Sequence, residues 1–458
     1  MDEMRPKIKQ LNCDQNKQSE ARDLLTTESE STVTSPNPAE QKPNILEEIL
    51  EKENVKAAIA KVQKNAGAPG IDGLTVEDLV PYLAANWNRV RRELVDGSYK
   101  PKPVRRVEID KPGGGIRTLG IPTVLDRVVQ QAFLQVLQPK WDPTFSTQSF
   151  GFRPNKSQHQ AIDAARELIR SGYEYVVDLD LEKFFDRVNH DILMARIAKR
   201  IDDKRVLKIL RAYLNAGILE EGLVEPSVEG VPQGGPLSPL LSNLLLDDLD
   251  KELEKRELQF VRFADDCNIY VKSERAGLRV KESITKFLAK KLRLRVNEEK
   301  SAVGKPSSRN FLGFTFGRAP EVQRLIAKPA SRKAKEKIQE ILKRGGHQSL
   351  NELTQNVVRF IRGWINYFGH TDRPSDVRAL LGYARRRLRW QAWQYWKTPE
   401  RRRKELVRLG IDYDTAYAIS YTSQGAWRIS KTRIMNLAFS NDHFRRNGFP
   451  TSLNGMSL

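Results

Sequence analysis

The tetrapeptide Phe263-Ala264-Asp265-Asp266 restricts what this chain can fold into more than any other segment. It lies between two short apolar runs, Phe260-Val261 and Ile269-Tyr270-Val271, and reads as a tight β-hairpin with both carboxylates at its tip. Adjacent carboxylates on a turn repel each other unless a cation shares them. A hard divalent ion such as Mg²⁺ takes one or two carboxylates and completes its shell with substrate phosphates. An Asp pair alone is an ordinary solvated turn, so the reading needs a third carboxylate from another strand.

Residues 173–180, Tyr-Glu-Tyr-Val-Val-Asp-Leu-Asp, offer two. Strand alternation sets Tyr173, Tyr175, Val177 and Leu179 on one face, and Val176, Asp178 and Asp180 on the other. Asp178 and Asp180 are rivals for one role. The simpler alternative is that Asp180 only caps a helix over 181–190.

Charge narrows the partner. The chain holds 78 Lys+Arg against 58 Asp+Glu, a net of +20, and the excess is not evenly spread. Residues 321–458 contain 27 Lys+Arg and 11 Asp+Glu, whereas the first 320 contain 51 and 47. A basic block of that kind fits a polyanion, because phosphate neutralisation releases counterions. Five of the seven tryptophans lie in the same block: Trp364, Trp390, Trp393, Trp396 and Trp427. Within a helical pattern, Val377, Leu380, Leu381, Ala384 and Leu388 form a core face, and Arg385, Arg389, Trp393 and Trp396 line another. Arginines among indole rings suit a phosphate backbone with stacked bases. Core tryptophans beside solvated arginines are the competing reading. A basic cluster, Arg401, Arg402, Arg403 and Lys404, follows.

Seven segments in order resemble the group II intron-encoded reverse transcriptase/maturase family, from about Ile45 to the C-terminus. Besides Phe263-Ala-Asp-Asp266 they are Leu119-Gly-Ile-Pro-Thr123, Ser149-Phe-Gly-Phe-Arg-Pro154, Gly230-Val-Pro-Gln-Gly-Gly-Pro-Leu-Ser-Pro239, Asn297-Glu-Glu-Lys300, Asn310-Phe-Leu-Gly-Phe314 and Phe360-Ile-Arg-Gly-Trp-Ile-Asn-Tyr-Phe368. The resemblance implies an α+β right-hand polymerase fold, with fingers and palm of antiparallel sheet plus helices, followed by a helical thumb/maturase domain. In that family the first metal-binding Asp precedes an aromatic by five residues. Asp180 plus five is Phe185, and Asp178 plus five is Lys183, so the resemblance gives the metal role to Asp180. It implies two Mg²⁺ ions held by Asp180, Asp265 and Asp266, and a ring at Phe185 under the ribose that selects deoxynucleotides. It also implies Lys111 and Arg117, flanking the glycines of 111–117, on the triphosphate, and Gln233 against the nascent base pair. Lys300 becomes a candidate general acid for the leaving pyrophosphate. The implied partners are intron RNA, target DNA, an RNA template–DNA primer duplex and deoxynucleoside triphosphates. The implied function is RNA-directed DNA synthesis with assistance to splicing and mobility. The alternatives are an RNA-binding maturase without polymerase activity, a retron-like reverse transcriptase and an RNA-dependent RNA polymerase. Ala264 and Phe185 speak against the last, and the segment 360–368 against the retron type.

The expected organisation is a disordered tail over 1–43, an N-terminal extension and fingers over 44–170, and a palm over 171–320. A thumb/maturase domain over 321–396 and a short basic DNA-binding tail over 397–458 follow. Residues 1–43 are polar, without apolar periodicity, and carry prolines at 36, 38 and 43. Cys13 and Cys267 make a structural disulfide unexpected, and five scattered histidines make a zinc site unexpected. Longer family members carry a C-terminal endonuclease with paired Cys and a His-Asn-His site, and none is expected here. No signal peptide and no apolar run near ~20 residues is visible, so the expectation is a cytoplasmic, nucleoid-associated protein without a membrane partner.

Overall fold

The computed structural model describes residues 44–110, 116–220, 223–225, 229–232, 234–344, 348–450, 452–453 and 456–457. The expected disordered tail, Lys111 and Gln233 lie outside the described residues.

The fold is α+β, with mostly antiparallel strand pairs and a helical C-terminal region. The expected hairpin is formed by strands Gln259–Phe263 and Asp266–Val271, with Ala264 and Asp265 as its two-residue turn. These strands belong to a four-stranded sheet, in the order Gln259–Phe263, Asp266–Val271, Tyr175–Leu179, Ala302–Gly304. Val176 and Val177, on opposite faces of their strand, are both buried, so the sheet is covered on both sides there. A second sheet is built on the antiparallel pair Val104–Asp110 and Ile116–Ile121, in register from Arg105↔Ile121 to Asp110↔Ile116.

The helix considered over 181–190 does not form. Leu181 pairs with Val296, Lys183 turns left-handed at φ 47°, and Phe184–Arg187 makes only a short 3-10 turn. Tertiary bonds claim the backbone groups a helix would use: the Phe185 carbonyl accepts from Val231 N–H at 2.7 Å, and the Val188 carbonyl from Gly230 N–H at 2.8 Å. The helix begins at His190–Ala198, with the Asn189 side chain accepting from Ile192 N–H as its cap.

Two compact units are present. The first comprises described residues within Met1–Ser157, Leu179–Cys267 and Arg279–Ala302, and the second those within Gln158–Asp178, Asn268–Leu278 and Val303–Leu458. At the centre of the first lies the helix Ser238–Lys255, with Leu240, Leu241, Leu244, Leu245, Leu246, Leu249 and Leu253 all buried. Such all-round burial marks an interior helix rather than an amphipathic surface one. In the second, helices Lys328–Arg344, Leu350–Phe368 and Pro374–Tyr395 share one core of Ile338, Leu353, Val357, Ile361, Val377, Leu381, Ala384 and Leu388. Ser349 and Glu352 cap the middle helix reciprocally, and Pro374 opens the third at a position where no N–H is needed.

Candidate active site

The turn that carries Asp265 and Asp266 is under tension, and its surroundings hold it. Ala264 adopts φ 57°, a left-handed conformation that costs a non-glycine residue roughly 1–2 kcal/mol. Its carbonyl accepts from Arg262 Nη1 at 2.8 Å, and the same nitrogen donates to Asn243 Oδ1 at 3.1 Å. The other side of the guanidinium makes a bidentate pair with Asp250, Nε to Oδ1 at 2.7 Å and Nη2 to Oδ2 at 2.5 Å. Both side chains are fully buried. Burial pushes the Asp250 carboxyl up from its ordinary value, and the charge of Arg262 opposes that shift. Asn243 in turn donates to the Gly151 carbonyl at 2.8 Å. Gly151 has no room for a side chain, since a Cβ there would lie 2.1 Å from the Ala264 nitrogen. The block 149–154 is thus shaped around the Asp turn, and the Arg262 backbone pairs with Phe150 N–H (2.8 Å) and with the carbonyl of Gln148, just before the block (2.9 Å).

Arg262, Asp250 and Asn243 were not among the sequence-derived candidates. The available signal was a lone Arg inside the apolar strand Phe-Val-Arg-Phe, together with acids inside the leucine-rich run at 244–253. A strand arginine with no exposed face must find an acid partner.

Asp180 follows the strand Tyr175–Leu179, the sheet neighbour of the strand that Asp266 opens. Its N–H donates to Ser301 Oγ at 2.9 Å, and its carbonyl accepts from Asn297 N–H at 2.8 Å. The block 297–301 therefore fastens the backbone, while the half-exposed carboxylate stands 3.9 Å from Lys300 Nζ. Asp178 is engaged elsewhere, by Arg309 Nη2 at 2.6 Å.

Phe185 is half-buried, edge-on to the buried Phe184, and lines a cavity of about 230 Å³ with Leu119, Gly120, Gly230, Val231 and Pro232. The loop opposite is zipped onto the Phe185 segment by the two backbone bonds described above and by His190 Nε2, 2.7 Å from the Gly230 carbonyl. Gly234, at φ 134°, presses on Gly120, where a Cβ would meet the carbonyl oxygen at 2.5 Å. Three separated sequence blocks thus meet at one wall. Of the other expected contacts, Arg117 lies on the strand opposite Ile109, and Lys111 and Gln233 fall outside the described residues.

Among the described residues no group of three or more His, Cys, Asp or Glu side chains could hold a metal ion on its own. Folding does bring two of the scattered histidines together, His159 stacking on His370 at 4.5 Å, in ring-to-ring rather than ligating geometry. Asp180, Asp265 and Asp266 therefore do not form such a group by themselves, and an Mg²⁺ that uses one or two carboxylates would leave the rest of its shell to substrate phosphates.

The stripe expected to face RNA is corrected in part. Arg389, Trp393 and Trp396 are buried, 8%, 2% and 4% exposed. Trp396 stacks on Phe439 at 5.8 Å, and Arg389 Nη2 donates to the Phe439 carbonyl at 3.0 Å. Burial and the neighbouring Arg385 pull the Arg389 guanidinium down to about 10. These side chains meet the chain's own C-terminal helices, which an amphipathic pattern cannot distinguish from an external partner. Arg402 packs over Trp393 at 4.7 Å and donates to the Trp396 carbonyl at 2.9 Å. Arg385 is half-buried, while Arg401 and Lys404 stay exposed.

Residues 109–316 match the family model for reverse transcriptase (RNA-dependent DNA polymerase), and residues 331–410 that for the group II intron maturase-specific domain. The chain belongs to the group II intron reverse transcriptase/maturase family. Protein YkfC of Escherichia coli (strain K12) is 35% identical over 285 residues, 54% of this chain and 75% of that protein. The group II intron-encoded protein LtrA of Lactococcus lactis subsp. cremoris is 30% identical over 292 residues, so this family member spans about half of LtrA, 49%. A chain of the solved Partial Cas6-RT-Cas1--Cas2 complex is 25% identical, with 58% of this chain and 45% of that chain covered, at a TM-score of 0.36. Among the described residues no helix of the family member is long and apolar enough to cross a membrane.

Proposed function

We propose that this reverse transcriptase/maturase is an active RNA-directed DNA polymerase that copies intron RNA into DNA and binds that RNA to assist splicing and mobility. The observation that carries the reading is the braced Asp turn. A buried ion pair, an asparagine and an obligatory glycine hold Ala264 in a costly conformation, and strain of that kind is retained where it positions function.

Asp180 and Asp265, with Asp266 beside them, would hold two Mg²⁺, which when bound favour the deprotonated primer 3′-hydroxyl and offset charge on the leaving pyrophosphate. Lys300, beside Asp180, balances that carboxylate and supplies a proton toward the pyrophosphate oxygen. Lys111 and Arg117 neutralise the β- and γ-phosphates, and Gln233 borders the nascent pair. The Phe185 ring excludes a 2′-hydroxyl. Residues 321–396 serve as thumb/maturase region, clamping the A-form template–primer by shape and binding intron RNA, and the tail 397–458 contacts target DNA. Arg401 and Lys404 keep their place among the nucleic-acid contacts.

Primer extension on an RNA template with deoxynucleotides and Mg²⁺ tests the reading. Asp265→Ala and Asp180→Ala should abolish synthesis with RNA binding within a few-fold of wild type, while Asp178→Ala should remain active. Intron RNA binding without any synthesis by the wild-type protein would move the reading to a maturase alone.

A further inference from the structure

The helix Tyr413–Ser420 and its C-terminal cap present three tyrosines at intervals of four: Tyr413, Tyr417 and Tyr421. They are 57%, 48% and 53% exposed, unusual for rings in a chain whose tryptophans and phenylalanines are mostly buried. The rings form a row, with Tyr413 and Tyr417 nearly parallel (6.4 Å between centroids, 22°), and Tyr417 and Tyr421 4.9 Å apart and tilted by 45°. The preceding helix, Pro399–Arg408, braces it. The Arg403 guanidinium lies 5.2 Å from the Tyr413 ring and 5.9 Å from that of Tyr417, and donates to the Tyr413 hydroxyl at 3.0 Å. Tyr421 Oη lies 3.4 Å from Glu400 Oε1. Of the nearby acids, Asp412 is spent capping the helix, accepting from Thr415 N–H. Across 397–458 the balance is 11 Lys+Arg against 5 Asp+Glu.

A row of solvent-facing aromatic rings beside a guanidinium, on a basic segment, has the composition of a base-stacking platform. Bases of a duplex are already stacked on each other and cannot use such rings, whereas unpaired nucleotides in loops and bulges can. The row lies beyond both family-matched segments, yet Arg403, which braces it, belongs to the maturase-specific one. We infer that Tyr413, Tyr417 and Tyr421 form a stacking site for unpaired nucleotides of RNA, continuous with the RNA-binding surface of the maturase region. This rests on the proposed reading that the maturase region binds intron RNA, and it makes part of the 397–458 tail an RNA contact.

The test uses the full chain and fluorescence anisotropy with three probes of equal length: a single-stranded oligouridylate, a single-stranded oligothymidylate and an RNA duplex. Tyr417→Ala should weaken oligouridylate binding about tenfold, with duplex binding and the slope of affinity against salt unchanged, since a ring carries no phosphate contact. Tyr417→Phe keeps the ring and should bind as wild type, and Tyr413→Ala should repeat the loss. Equal loss on single strand and duplex, no loss at all, or loss confined to oligothymidylate would each overturn the inference. So would a concentration-dependent mass in sedimentation that Tyr417→Ala abolishes while oligouridylate binding stays intact, which would give the row to a second copy of the chain. A wild-type protein that extends no primer but shows the tyrosine-dependent RNA loss would sink the polymerase reading and leave this one standing.

Discussion

Replacing Arg262 with Met separates two jobs that one guanidinium performs. The substitution keeps much of the volume but leaves Asp250, 0% exposed, as an unpaired charge. Breaking a buried pair from one side costs about 3–5 kcal/mol, or roughly two to nearly four orders of magnitude in the folding equilibrium. Asp250→Leu in the same chain removes the orphaned carboxylate, and the double variant should recover much of that loss, because buried pairs are often replaceable by apolar residues, but not all of it, because the Ala264 carbonyl and Asn243 Oδ1 each lose a buried donor at about 1–3 kcal/mol. Activity should not return with stability. Arg262 Nη1 also holds the Ala264 carbonyl at 2.8 Å and Asn243 at 3.1 Å, and no apolar side chain can donate there. Without that anchor Ala264 is free to leave φ 57°, which relieves its strain and moves the carboxylates that follow. A misplacement of about 1 Å costs on the order of 100-fold in rate. The measurements are the urea midpoint of the full chain and primer extension under saturating nucleotide. A single variant that loses less than about 1 kcal/mol would refute the energetics. A double variant that is both stable and fully active would refute the positioning argument.

Three further outcomes follow from the same geometry. Gly151→Ala puts a Cβ 2.1 Å from the Ala264 backbone nitrogen, so synthesis should fall by about 100-fold while RNA binding by filter retention changes little; normal synthesis would mean the turn can yield. Phe185→Ala opens the cavity wall, and the ratio of ribonucleotide to deoxynucleotide incorporation should rise about tenfold or more, as judged by single-nucleotide extension; an unchanged ratio would reduce Phe185 to a packing residue. The pair Arg401→Gln and Lys404→Gln removes two exposed cations, and the log–log slope of RNA affinity against salt should flatten by about 1.4–1.8, at roughly 0.7–0.9 per phosphate contact; an unchanged slope would place the phosphates elsewhere.

What was legible in the sequence was what is local. The hairpin at 263–266 and the apolar face Val377, Leu380, Leu381, Ala384 and Leu388 follow from spacing alone, and both form as read. The helix considered over 181–190 failed because the carbonyls of Phe185 and Val188 are taken by a loop some forty residues away, a competition that no local pattern records. Arg389, Trp393 and Trp396 misled for a different reason: a helix with two apolar-aromatic stripes does not say which one meets its own chain. The brace of the Asp turn was out of reach because Gly151, Asn243, Asp250 and Arg262 span more than a hundred positions, and only folding makes them neighbours.

Every residue of that brace, and the block that fastens Asp180, falls outside 321–458. On the proposed reading that 321–458 carries the RNA contacts, a lineage of such proteins can rewrite that segment to follow a changing RNA without retuning the carboxylates. An engineer exchanging C-terminal regions between relatives should keep Gly151, Asn243, Asp250 and Arg262 as one inherited set.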